Sequence, residues 1–137
     1  MRVLIVDDER LARSELRRLL AAHPEVQIAG EAANAIEARQ LIEELAPDLV
    51  FLDVQMPGGT GFDLLASLDD APPVVFTTAF DQYAIRAFDV SALDYLLKPI
   101  EPARLAHALK KLNREPEPAR EKLQPADAKV FIKDGDR

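Results

Sequence analysis

Short apolar runs recur along the chain at Val3-Leu4-Ile5-Val6, Val26-Gln27-Ile28-Ala29 with one polar break, Leu49-Val50-Phe51-Leu52, Val74-Val75-Phe76 and Leu93 to Leu97. Runs without in/out alternation suit strands covered on both faces, as in a parallel sheet flanked by helices. Between them the period becomes helical. Ala38, Leu41, Ile42 and Leu45 fall at i, i+3, i+4 and i+7, as do Leu105, Ala108, Leu109 and Leu112, and Leu11, Leu16, Leu19 and Leu20 form a similar stripe. Asn34 followed by Glu37 predicts a capped start for the second helix, and Pro102 suits the first turn of the last. Shorter helices are expected over about 61–69 and 81–89. Strand and helix alternate five times up to Asn113, which argues a doubly wound α/β sandwich.

The 137 residues correspond to roughly one domain, and 48% hydrophobic with 30% charged residues is ordinary for a folded chain. A net charge of −7 argues against nucleic-acid or anionic-membrane binding by these residues alone. The absence of cysteine excludes disulfides and thiolate metal sites. No apolar stretch reaches the length of a signal peptide or membrane span, so a cytoplasmic protein with no membrane partner is expected. Composition shifts after residue 113. Residues 114–137 hold six basic and six acidic side chains, so the negative charge belongs to residues 1–113. Glu115-Pro116-Glu117-Pro118 and Pro125 predict a stiff linker over 114–127. Val130-Phe131-Ile132 followed by Asp134-Gly135 predicts a strand and hairpin turn, so 128–137 are expected to be the first strand of a truncated second domain.

Three acids fall at carboxyl ends of strands: Asp7 and Asp8 after the first, Asp53 after the third. Ligand crevices in open parallel sheets lie outside those ends, and a strand order of 2-1-3-4-5 brings the three together. Any one of them is an ordinary turn or capping residue. Converging carboxylates repel one another unless a cation neutralises them, and Mg²⁺ with a phosphoryl oxygen is the natural occupant. Lys98 and Thr78, at the ends of the fifth and fourth strands, place an ammonium and a hydroxyl by the same crevice. Pro99 after Lys98 permits a cis peptide bond that would aim the Lys98 side chain, although trans is the commoner state of an X-Pro bond.

Asp7-Asp8-Glu9 after Val-Leu-Ile-Val, Leu52-Asp53-Val54-Gln55-Met56-Pro57-Gly58, Thr77-Thr78-Ala79 and Asp94-Tyr95-Leu96-Leu97-Lys98-Pro99 together resemble the receiver domain of two-component response regulators. The resemblance covers residues 1–113, with the motifs in order. It implies a flavodoxin-like (CheY-like) fold with a five-stranded parallel sheet and five helices. It also implies Asp53 as phosphoacceptor, Asp8 and Asp53 as Mg²⁺ ligands, Asp7 as a ligand through water and Gln55 as one through its backbone carbonyl. Thr78 and Lys98 then hold phosphoryl oxygens, and Thr78 and Tyr95 form the switch. By the same resemblance Phe80 stands where receivers place a residue that controls access of water to the acyl phosphate, a surface ring used only for dimer packing being the alternative role. The implied partners are a histidine kinase and, on phosphorylation, a second copy of the chain.

The stretch from Val75 to Phe88 and from Ala92 to Ile100 is similar to receivers attached to LytTR-type DNA-binding domains. DNA contact is then expected only through the missing C-terminal domain, with transcription as the output. The implied protein is a regulatory phosphoacceptor that phosphorylates and dephosphorylates itself, not a turnover enzyme. A hydrolase of the haloacid-dehalogenase type needs a second Asp two residues after the nucleophile, where Gln55 stands. A phosphorylation-independent dimerisation module of the same fold is the other alternative, although it has no use for the acids, Thr78 and Lys98 together. His23 and His107 have no second ligand at metal spacing, and Gly58, Gly59 and Gly61 loosen the loop after Asp53 without forming a nucleotide-binding signature.

Overall fold

The computed structural model describes residues 1–80, 86–87 and 90–113. The linker expected over 114–127, the strand expected within 128–137 and most of the helix expected over 81–89 lie outside the described residues. Within that span, Arg86 and Ala87 are helical.

The main strands are β1 (Arg2–Val6), β2 (Gln27–Ala32) and β3 (Leu49–Asp53), followed after a two-residue pair, β4 (Gln55–Met56) and β5 (Gly59–Thr60), by β6 (Val74–Thr78) and β7 (Asp94–Leu97). The helices are α1 (Arg10–Leu20), α2 (Ala35–Leu45), α3 (Gly61–Ala66) and α4 (Pro102–Asn113). The five main strands pair in parallel in the order β2-β1-β3-β6-β7, which is the expected order of the five apolar runs.

Alternate residues of each strand point to opposite faces. Leu4, Val6, Val50, Leu52, Val74 and Phe76 pack with Ala38 and Ile42 of α2 and Phe62 and Leu64 of α3. Val3, Ile5, Leu49, Phe51, Val75 and Leu96 pack with α1 and α4 through Leu16, Leu19, Leu105, Ala108 and Leu109. Burial on both faces is why these strands read as unbroken apolar runs.

The helix starts are specified locally. Asn34 accepts the Glu37 amide at 2.8 Å, while the Glu37 carboxylate takes the amide of Ala33, one residue before the cap. Thr60 and Asp63 make a reciprocal capping box that opens α3. Leu11 corrects the expected α1 stripe, since it is 75% exposed. Stepping back three and four residues from Leu16 leads to Arg13 and Ala12, both half-buried, so the inward face of α1 passes through an arginine.

Candidate functional site

The sheet register assembles the site. Val6 pairs with Leu52, so Asp7 and Asp53 leave adjacent strands side by side. On the other flank Asp53 pairs with Thr77 and Thr78 with Leu97, which carries Lys98 to the same edge. Carboxylate oxygens of Asp7, Asp8 and Asp53 lie within 4.8 Å of one another. Asp7 and Asp53 are buried and Asp8 is exposed, so the acidic cluster opens to solvent on one side.

Lys98 Nζ donates to Asp7 Oδ2 at 2.8 Å and stands 3.6 Å from Asp53 Oδ1. The Gln55 amide donates to the same Asp53 oxygen at 3.4 Å. Burial, reinforced by the charge of Asp7 and more weakly by Asp8, raises the Asp53 carboxyl to about 7, against the pull of Lys98 and the Gln55 amide. Burial opposes the charge on Lys98, but the hydrogen bond to Asp7 and the surrounding acids outweigh it and hold the ammonium above its ordinary value. An excess of carboxylate oxygen in a half-enclosed cleft is a donor set suited to a hard divalent cation.

The cleft is lined by Asp8, Glu9, Asp53, Gln55, Met56, Pro57, Ala79 and Lys98. Thr78 sits just behind it: its hydroxyl oxygen accepts the Phe80 amide at 3.1 Å, and its carbonyl accepts the Lys98 amide at 2.7 Å. Phe80 is 45% exposed. Tyr95 is half-buried against the α2–α3 side of the sheet, with its carbonyl held by Arg104. The Lys98–Pro99 peptide is cis. The structure thus brings Asp7, Asp8, Asp53, Gln55 and Lys98 into one cleft, sets Thr78 beside it and leaves Tyr95 at a distance along β7.

Residues 3–110 match the response regulator receiver domain family. The chain belongs to this family. It is 53% identical over 113 residues to an uncharacterized response regulatory protein of Vibrio parahaemolyticus, covering 81% of this chain and 47% of that protein. It is 49% identical over 117 residues to the transcriptional regulatory protein BtsR of Escherichia coli, covering 84% of this chain and 49% of that one. The chain therefore spans about half the length of the curated relatives it matches. Among solved structures, the response regulatory domain of mrkE from Klebsiella pneumoniae superposes with a TM-score of 0.73 at 34% identity, covering 82% of this chain and 95% of that one.

Several residues that shape the receiver's cleft were not singled out by the sequence reading. The Glu9 amide donates to Asp7 Oδ1 at 2.9 Å, and Arg13 Nη1 donates to the Asp7 carbonyl at 2.6 Å. The signal for Arg13 was a charged residue three positions before Leu16, on the buried stripe. The loop after Asp53 also differs from the loosened segment expected there. Gln55 and Met56 pair with Thr60 and Gly59 in a small antiparallel ribbon, whose turn uses Gly58 at φ 85° and Gly59 at φ 156°. Those angles suit glycine, which lacks the Cβ that makes them costly. No described helix is long and apolar enough to cross a membrane.

Proposed function

We propose that this receiver accepts a phosphoryl group on Asp53 from the phosphohistidine of a histidine kinase, or from a small acyl phosphate, and thereby switches a transcriptional output. The observation that carries the reading is the convergence of Asp7, Asp8, Asp53 and Lys98 at one sheet edge.

The Asp53 carboxylate attacks phosphorus, an O–P bond forms, and the P–N bond of the phosphohistidine breaks with its electron pair returning to the imidazole. Asp8 and Asp53, with Asp7 through water and the Gln55 carbonyl, are the residues that would hold Mg²⁺. When bound, that ion neutralises the charge on the phosphoryl oxygens and on the carboxylates. Lys98, already between Asp7 and Asp53, supplies a second positive charge to the transferring group. Ionisation of Asp53 makes it nucleophilic, and no general base is needed. The added charge and oxygens draw the Thr78 hydroxyl away from the Phe80 amide, and Tyr95 follows toward the space it leaves.

The regulatory consequence is formation of a homodimer and control of a LytTR-type DNA-binding domain in the whole protein. The motifs from Val75 to Ile100, and relatives of which this chain matches about half the length and which include transcriptional regulatory proteins, support this output. The domain is a phosphoacceptor rather than a turnover enzyme. Mass spectrometry after acetyl phosphate treatment tests the reading: wild type gains one phosphoryl group only with Mg²⁺, and Asp53→Asn gains none. Labelling of Asp53→Asn at the wild-type level moves the acceptor elsewhere.

A further inference from the structure

We propose that Arg13 is a positioning residue for the divalent-cation site, acting through the peptide that joins Asp7 to Asp8. The inference rests on the reading that the acidic trio binds Mg²⁺. Asp7 is held at four points. Its amide donates to the Ala32 carbonyl at 3.0 Å, its carbonyl accepts from Arg13 Nη1 at 2.6 Å, and its carboxylate accepts from the Glu9 amide and from Lys98 Nζ. The Asp8 side chain is exposed and has no hydrogen-bond or ion-pair partner among the described residues.

No side-chain contact among the described residues therefore holds the Asp8 carboxylate, and its backbone sets where that side chain starts. Because the peptide unit is planar, holding the Asp7 carbonyl restrains the plane that couples ψ of Asp7 to φ of Asp8, and with it the relative direction of the two Cα–Cβ bonds. Of those four bonds, Arg13 makes the only one to the peptide between the two acids.

Arg13 is itself held. Its side chain is 16% exposed on the inward face of α1, and Nε donates to Glu31 Oε1 at 3.2 Å. Glu31 stands on β2 opposite Ile5 and also binds Arg17. A guanidinium largely withdrawn from water is costly without such a partner. Glu31 thus completes a strut running from β2 through Arg13 to the end of β1.

Charge and position make opposite forecasts for this residue. A cation near a cation site weakens binding by Coulomb repulsion, so loss of Arg13 tightens Mg²⁺ binding if charge alone matters. If Arg13 positions the acids, its loss weakens binding. Outer partners that orient metal ligands commonly contribute roughly tenfold or more to affinity.

The test is calorimetric titration of Mg²⁺ into the unphosphorylated wild type, Arg13→Ala and Arg13→Lys, with thermal midpoints measured in EDTA. We expect Arg13→Ala to bind roughly tenfold more weakly. Arg13→Lys keeps the charge but lacks the fork that reaches carbonyl and carboxylate together, so it should bind more weakly than wild type by a smaller factor. Unchanged or tighter binding by Arg13→Ala overturns the proposal. If that variant fails to fold in EDTA, Arg13→Lys decides alone, and wild-type affinity there overturns it equally. A wild type that shows no saturable Mg²⁺ binding instead removes the metal reading beneath it.

Discussion

The position a Cβ would take on Gly61 lies 2.5 Å from the carbonyl oxygen of Asp53. Leu52 and Phe76 close the same space at 3.0 and 3.2 Å, and the Gly61 amide donates to the Val54 carbonyl at 2.8 Å. The first residue of α3 therefore seats directly on the backbone that carries the proposed acceptor. Gly61→Ala forces either α3 or the end of β3 to move, with an expected cost of about 1–3 kcal/mol. Urea unfolding measures that cost, and phosphorylation by acetyl phosphate should slow in the same variant because Asp53 shifts. Wild-type values of both would show that the packing yields without strain.

Metal binding should depend on pH through Asp53. With its carboxyl raised to about 7, the ligand is largely protonated at pH 6 and largely ionised at pH 8. Mg²⁺ affinity measured by calorimetry should therefore rise about tenfold between those values. A flat profile would place the titration of Asp53 outside this range.

The same raised carboxyl makes the metal-free fold pH-sensitive in a defined direction. The native state holds the Asp53 proton more tightly than the unfolded chain, whose carboxyl titrates near 3.8, so stability without Mg²⁺ falls as pH climbs from there through about 7. Asp53→Asn removes the buried charge. In EDTA at pH 8 it should be more stable than wild type by on the order of 2 kcal/mol, and the difference should vanish near pH 4, as thermal unfolding can read.

Asp94 has the opposite sign. Burial raises its carboxyl, but hydrogen bonds from Arg104 and the Tyr95 amide, with the nearby charge of Lys111, outweigh it and hold the group below its ordinary value. This contribution is present above the unfolded carboxyl range and is lost as pH falls through the lower native value. Arg104→Ala should cost about 1–2 kcal/mol at pH 7 and progressively less toward pH 3, in paired denaturant titrations. The Arg104 side chain is partly exposed, which places the expectation in the lower part of that range for charged hydrogen bonds.

Ala46 ends α2 in the left-handed region at φ 45° and ψ 59°, donating its amide to the Ile42 carbonyl. Only its Cβ makes that conformation costly, so Ala46→Gly should stabilise the domain by about 0.5–1 kcal/mol without touching the cleft. A rise in thermal midpoint with unchanged Mg²⁺ affinity is the expected pair of results.

How much was legible in the sequence follows from the range of the forces involved. Two-sided burial produces unbroken apolar runs, so β1, β3 and β6 were readable from Val3–Val6, Leu49–Leu52 and Val74–Phe76. Helix caps such as Asn34 and Pro102 act over one turn and were readable for the same reason. The acids at strand ends were visible as residue types at fixed places, and the family motifs joined them into one site. Leu11 was misread because a leucine count does not test angular position; only the packing of Leu16, Leu19 and Leu20 against the sheet decided which side of α1 faces inward.

Contacts between residues distant in the chain belong to tertiary structure alone. The ammonium of Lys98 meets Asp7 across 91 positions, and nothing local to either residue says that Asp7 rather than Asp53 takes the shorter bond. Burial of Asp53 and the resulting rise of its carboxyl depend on side chains from β1, β3 and the segment after β7 closing together. The tie from Arg13 to the Asp7 carbonyl, and the seat of Gly61 on Asp53, likewise required the register of the folded sheet. Sequence determined which chemical groups stand at the strand ends, because burial and turn formation act locally; the fold decided their distances, charges and exposure, because electrostatics and packing depend on neighbours in space.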